Sequence, residues 1–489
     1  MKVRTRLVGA ASFALLLFGS CGGDAPHPAP PAPPPPTRDV VAARIAELDA
    51  DLAEDSPVEA IDPERIRGLI SIALSSDRGM RLAGREEAAG LGDGAIDELE
   101  AILADSTVAA AEREVAIEFL GLLASPRSAE SLLTLLESSD EPWQRAHAAW
   151  RLASSDQDWV VPRMLLRLKY ETDFDTVIWL AKTLAHYGND AGLGALSVIA
   201  AEAPNDTLRA SALARREEIA RAAGASSADE LQRAWNAAEP PAFPQPDRSA
   251  RFDREVLRWI DRFREFQLRG VDDARFLLER MGTRAAELLG LALSDSNLYI
   301  RLHAAQSLKR MGRRGEAAGP ALLERLDDPE IAPMAAEALG AVGYAPAQPR
   351  LAQLAGGPPG VALDLRLAAL RGLGGFADRE ATAGDASALT ALRAALDPSG
   401  PLEIQQAAAE SLARRGHAEE VLRRLADFLV EPGLDPGTTE RVLRTWIVES
   451  GETELLTRWD EAGIEPGTIV SEEERMASRR ARKALIDSL

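Results

Sequence analysis

Cysteine is nearly absent from this 489-residue chain, in which Cys21 is the only one. One thiol allows no internal disulfide and no thiolate metal site. Histidine is also scarce. His27, His147, His186, His303 and His417 are all there are, no two lie within four residues of each other, and none is followed by Glu. Metal centres need clustered His, Cys or carboxylates, so no metal or cofactor is expected. Aromatic residues make up 5% of the chain while apolar residues make up 46%, which leaves Ala and Leu to fill the core. Positive charge is short as well: 56 Lys and Arg face 77 Asp and Glu, a formal net charge of −21. Binding a phosphate backbone relies on clustered Lys and Arg, so this balance argues against nucleic acid as a partner. No Gly-x-Ser-x-Gly nucleophile elbow occurs. Gly90-Leu91-Gly92-Asp93-Gly94 has neither a preceding strand nor a following Lys, and reads as a helix-breaking turn rather than a phosphate loop.

What the chain does have is a repeat. Ala304-Ala305-x-x-Leu308-x-x-x-Gly312 is echoed by Ala335-Ala336-x-x-Leu339-x-x-x-Gly343 and by Ala408-Ala409-x-x-Leu412-x-x-x-Gly416. A looser Arg-x-x-Ala-x-x-x-Leu begins at Arg113, Arg145, Arg301 and Arg366. Small residues with Leu at helical spacing form one apolar stripe, and the closing Gly suits a left-handed helix end. Turns such as Asp140-Glu141-Pro142, Asp295-Ser296-Asn297, Asp327-Asp328-Pro329 and Asp397-Pro398-Ser399 precede these helices and supply caps. The spacing predicts helix–turn–helix units that bury their apolar faces only by stacking.

On these residues the chain resembles the HEAT-repeat family within the armadillo-type superhelices, most strongly from about Leu288 to Gly416. The resemblance implies an all-α fold, a right-handed α-α superhelix (HEAT-like solenoid) that could comprise two sub-solenoids. It also implies a hydrogen-bonding ladder through Asp140 with Arg145 and Asp295 with Arg301. Deoxyhypusine hydroxylase is a HEAT-repeat enzyme that binds di-iron through His-Glu pairs, and the absence of any His-Glu here excludes that reading.

The N-terminus reads as a targeting segment. Lys2, Arg4 and Arg6 precede the apolar run Leu7–Phe18, which is too short to span a membrane. Phe18-Gly19-Ser20-Cys21 resembles a bacterial lipobox, with residues 1–20 as signal peptide and Cys21 as the lipidated mature N-terminus. Removing the signal takes the net charge to −24. Gly22 in place of Asp favours the outer over the inner membrane. Residues 21–37 then form a proline-rich tether of polyproline II character, roughly 35–40 Å long.

Two stretches of helical repeats are expected, 38–237 and 251–489, separated by a proline-rich break at 238–250. Val40–Leu52 and Arg65–Leu74 are expected to cap the N-terminal end. Trp143, Trp150, Trp159 and Trp179 are expected to pack between repeats. Behind the break, Phe252, Val256, Trp259, Phe263 and Phe266 share a helical face among many Arg and Asp. Two readings stand for this helix: a cap over the second stretch, or an aromatic and arginine surface for a partner, the residue types enriched at binding hot spots. The functional expectation is a non-enzymatic, membrane-tethered scaffold in the bacterial cell envelope that binds a protein or peptide. The alternative is an enzyme or accessory subunit acting on an envelope polymer.

Overall fold

The computed structural model describes residues 38–52, 60–189, 191–203, 205–236, 249–264, 268–358, 360–376, 385–397, 400–417, 453–462 and 472–487, with single positions at 420–421, 426, 440 and 444. Cys21, the proline-rich tether, Phe266 and nearly all of the 238–250 break lie outside them. Helices and turns account for all the regular structure among the described residues, with no strand. None of the described helices is long and apolar enough to cross a membrane. The fold is all-α, built of stacked helix pairs, and the described residues divide into two compact units, 38–321 and 322 onward.

In the first unit the helices run α1 (Val40–Asp51), α2 (Pro63–Ala73), α3 (Arg78–Ala89), α4 (Ile96–Ala104), α5 (Ala110–Leu123), α6 (Pro126–Ser138), α7 (Pro142–Leu152), α8 (Val161–Tyr170) and α9 (Phe174–His186). They continue as α10 (Gly192–Glu202), α11 (Asp206–Ala222), α12 (Ala228–Asn236), α13 (Ala250–Asp261), α14 (Leu268–Leu278), α15 (Gly282–Ala292) and α16 (Leu298–Met311). Sequential helices pair as α2 with α3, α4 with α5, α6 with α7, and α8 with α9. The pairs stack in two layers, α3-α5-α7-α9-α11 on one side and α2-α4-α6-α8 on the other. Small residues make the close stacking possible: a Cβ on Gly192 would lie 2.4 Å from that of Ala181.

Arginine explains the period. Arg81, Arg145, Arg209 and Arg301 each donate to the carbonyl six residues earlier, on Ser75, Ser139, Ala203 and Asp295 respectively. Each thereby ties a helix to the end of its predecessor, whose last carbonyls have no partner within the helix. Pairs one repeat apart join neighbours within a layer, as in Arg67–Glu98 and Arg85–Glu118. The motif glycines Gly312, Gly343 and Gly416 all adopt positive φ, as their place at helix ends requires. Capping is less uniform than the turns suggest. Asn297 caps α16 with its side chain, whereas Glu141 makes no such bond at the start of α7.

The unit's far end differs from expectation. The proline-rich break does not separate two bodies, because α13 packs on α1 and on the short 3-10 turn Asp158–Val160, and α14 contacts α8. Ser249 fixes this junction by donating to Asp158 (2.7 Å). α1 does not cap α2 either; it packs on α13 and α15. Val41 N–H donates to the Asp295 carboxylate (3.1 Å), and Ser296 N–H donates to the Arg38 carbonyl (3.0 Å). Val41 and Leu48 supply the buried contacts.

The short helix α17 (Gly319–Glu324) follows α16. The second unit contains α18 (Ala332–Val342), α19 (Gln348–Ala355), α20 (Leu363–Gly374), α21 (Asp385–Ala394), α22 (Leu402–Arg414), α23 (Thr453–Glu461) and α24 (Glu472–Asp487). α18, α20 and α22 form one layer, while α19 and α21 form the other. At the crossing of α18 and α20 a Cβ on Gly340 would lie 2.0 Å from the Gly372 carbonyl oxygen, so the two backbones touch.

Candidate functional site

A groove of ≈ 1140 Å³ runs in the first unit between the α6/α8 layer and α13. Its α13 wall is a helical stripe. Arg251, Arg254, Arg258 and Arg262 recur every three or four residues, with Glu255 and Trp259 between them. Arg127 and Arg163 stand on the opposite wall, near Trp159. Six arginines thus line the groove with four carboxylates, Asp93, Glu130, Glu137 and Glu255, in a chain of net charge −21, and Asp97 and Asp49 outside the lining pair with some of them.

The opposite wall is internally matched. Arg163 grips Glu137 with two hydrogen bonds of 2.7 Å and also pairs with Glu130; burial lowers its basicity, but these acids raise it further, leaving it above the ordinary value. Arg127 pairs with Asp97. The α13 wall is less complete. Arg254 and Arg258 share the single carboxylate of Asp49 on α1, at 3.4 and 3.1 Å. Arg251 has no hydrogen-bond or ion-pair partner among the described residues. Glu255 forms no ion pair there, and burial pushes its carboxyl up despite the nearby Arg163, Arg258 and Arg254. Three buried polar atoms on the lining residues lack a hydrogen-bond partner: Trp259 Nε1, Arg254 Nε and Asp93 Oδ1. Buried polar atoms are nearly always bonded, so such a concentration is notable.

The aromatic patch foreseen on α13 divides between two faces. Phe252 and Phe263 are 0% and 1% exposed and belong to the core, with Val256 and Ile260. They are corrected from partner surface to packing residues: the face that holds α13 against its neighbours passes through 252, 256, 260 and 263. Trp259, on the other face, is half-buried and lines the groove. Phe266 lies outside the described residues, as does Cys21. The arginine stripe at 251, 254, 258 and 262 was readable from its spacing; the facing Arg127 and Arg163 were not, because only the fold brings them opposite.

The ladder residues are also rearranged. Arg145 does donate within its repeat, but to the Ser139 carbonyl, and its carboxylate partner is Glu171 in the next repeat, not Asp140. Arg301 meets Asp295 through the backbone carbonyl (2.9 Å). The Asp295 carboxylate instead accepts from Val41 and Asn297 N–H groups and pairs with Arg264.

The tryptophans hold a second surface. Of the four tryptophans between 143 and 179, Trp159 is buried, while Trp143, Trp150 and Trp179 are half-buried on α7 and α9. Packing between repeats holds for Trp150 and Trp179, which meet across α7 and α9, although neither is fully buried. Trp150 stacks on Trp179 at 5.1 Å, and His147 sits edge-on between Trp143 and Trp150. Arg151 lies 4.0 Å over Trp150, and Lys182 and Arg215 lie over Trp179. His303 packs on Phe263, and burial together with Arg275 lowers its pKa. Among the described residues no three His, Cys, Asp or Glu converge as a metal site would require.

No protein-family model matches the chain, and no curated protein matches it. Among solved structures it is similar to human deoxyhypusine hydroxylase in complex with glycerol, at 15% identity, covering 73% of this chain and 97% of that one with a TM-score of 0.19. It is similar to Kap121p bound to RanGTP at 14% identity, covering 87% of this chain and 53% of that one, with a TM-score of 0.29. For importin beta the identity is 12%, the coverage 92% and 66%, and the TM-score 0.28. The chain thus spans about half the length of Kap121p and about two thirds of importin beta. What makes it a helical-repeat protein is its own pattern of helix contacts.

Proposed function

We propose that this protein is a non-enzymatic scaffold of the bacterial cell envelope, held to a membrane by a lipid on Cys21 and binding a protein partner in the groove between α6/α8 and α13. The lipobox-like residues and the proline-rich segment behind them support the tether. The groove carries the binding reading: it is larger than the usual range for small-molecule sites, and its α13 wall presents Trp and Arg, the side chains that dominate protein recognition.

A photo-crosslinking residue in place of Arg251, in the lipidated full chain in envelope membranes, tests this reading. The expected adduct is a polypeptide that disappears when Trp259→Ala is added and is not formed from an exposed control position such as Leu213 on α11. Adducts to glycan alone would favour an enzyme or accessory subunit working on an envelope polymer. Equal polypeptide adducts from both positions would overturn the groove as the site.

A further inference from the structure

Resting on that reading, we infer that the groove takes an extended, acidic peptide segment of the partner. Donors in excess of acceptors are what the α13 wall offers. Arg251 has no partner among the described residues, and Arg254 and Arg258 divide one carboxylate between them. A guanidinium has five N–H donors, so a single contact at 3.4 or 3.1 Å leaves most of its capacity unused.

The spacing suits an extended chain. From Arg251 to Arg262 the stripe covers roughly 16 Å at 1.5 Å per helical residue, with one arginine per turn of about 5.4 Å. Alternate residues of an extended strand lie about 6.6 Å apart on one face. Acidic side chains at alternate positions therefore meet successive arginines, while the intervening side chains turn away towards Trp159 and the opposite wall. Charge completes the argument. The chain as a whole repels an acidic ligand, so such a ligand needs a local row of arginine donors of the kind the α13 wall presents. The acids of the opposite wall oppose this only in part, because Arg163 bonds both Glu130 and Glu137 and offsets one of their two charges. Glu255 does oppose it, and is the residue on which an acidic and a basic ligand must disagree.

The test is calorimetric titration of the full chain in detergent with three probes: a short capped peptide alternating Glu with Leu, its Lys counterpart, and a single-stranded oligonucleotide. We expect the acidic peptide to bind and to weaken as salt rises. Arg251→Glu should weaken it by about tenfold or more, with Arg251→Lys restoring most of the loss. Glu255→Gln should tighten it. Arg251 bonds to nothing among the described residues, so its substitution leaves packing intact. The proposal is overturned if the Lys peptide binds more tightly, if Glu255→Gln weakens the acidic peptide, if the oligonucleotide outcompetes it, or if the acidic peptide does not bind. In that last case a groove-dependent polypeptide adduct at position 251 would keep the groove and reject only the ligand class; loss of both would reject the two together.

Discussion

Arg145 reaches into the following repeat and holds Glu171 through two hydrogen bonds, 2.9 Å from Nε and 3.0 Å from Nη2, with the Glu171 side chain wholly buried. Arg167 and the Thr172 and Asp173 N–H groups donate to the same carboxylate. Burial alone would push this carboxyl up, but the Arg145, Asp173, Arg167 and Thr172 hydrogen bonds outweigh it and hold it down to about 2.

Acid stability follows from that carboxylate. The unfolded chain takes up the proton near 4.5 and the folded chain near 2, so the contribution is complete above about pH 4.5 and is lost as pH falls through 2. Glu171→Gln should cost about 3 kcal/mol at pH 7, because two arginines then face a neutral amide. The variant should also show a flatter dependence of stability on pH between 4.5 and 2. Denaturant unfolding followed by circular dichroism at pH 7 and pH 3 checks both outcomes.

The two faces of α13 should separate stability from binding. Phe252→Ala or Phe263→Ala empties a fully buried site and should lower stability by about 3–5 kcal/mol. Trp259→Phe should leave stability nearly unchanged, since it keeps the ring body and removes the unbonded N–H. Equal losses for all three by thermal unfolding would mean that Trp259 is a core residue.

Helix approach in the second unit depends on glycine. Gly340→Ala would drive a methyl group into the Gly372 backbone, and should cost about 1–3 kcal/mol or more as α18 and α20 move apart. Gly68 on α2 has nothing within 4 Å, so Gly68→Ala should stabilise by roughly 0.5–1 kcal/mol. Thermal melts of the two variants should shift in opposite directions.

Stacking between repeats can be measured at Trp150 and Trp179. A double-mutant cycle to Ala should return a coupling of about 0.5–1.5 kcal/mol, the range for aromatic pairs. A coupling near zero would reduce the pair to coincident neighbours on α7 and α9.

The helical repeat was legible in the sequence because its causes are local. Leu308 lies within the helix it specifies, Gly312 directly ends that helix, and Arg145 needs a carbonyl only six residues away. The α13 face bearing Arg251, Arg254 and Arg258 was legible for the same reason. Helical periodicity does not say which face of a helix its neighbours will cover, and this is why the partner reading of Phe252 and Phe263 fails while Trp259 on the same helix lines the groove. Nor could local pattern show that Arg163 would stand across from Arg254, or that α1 would pass over α2 to reach Asp295.

That last contact changes how the first unit must form. Repeat proteins ordinarily fold from neighbour to neighbour, each unit settling as it is made. Here Val41 waits for Asp295, 254 residues later. Until that residue is present on the same side of the membrane, the apolar side of α1, with Val41 and Leu48, is a surface without its mate. Once closed, the strap ties early and late chain together, so the unit should come apart as a whole instead of fraying one repeat at a time.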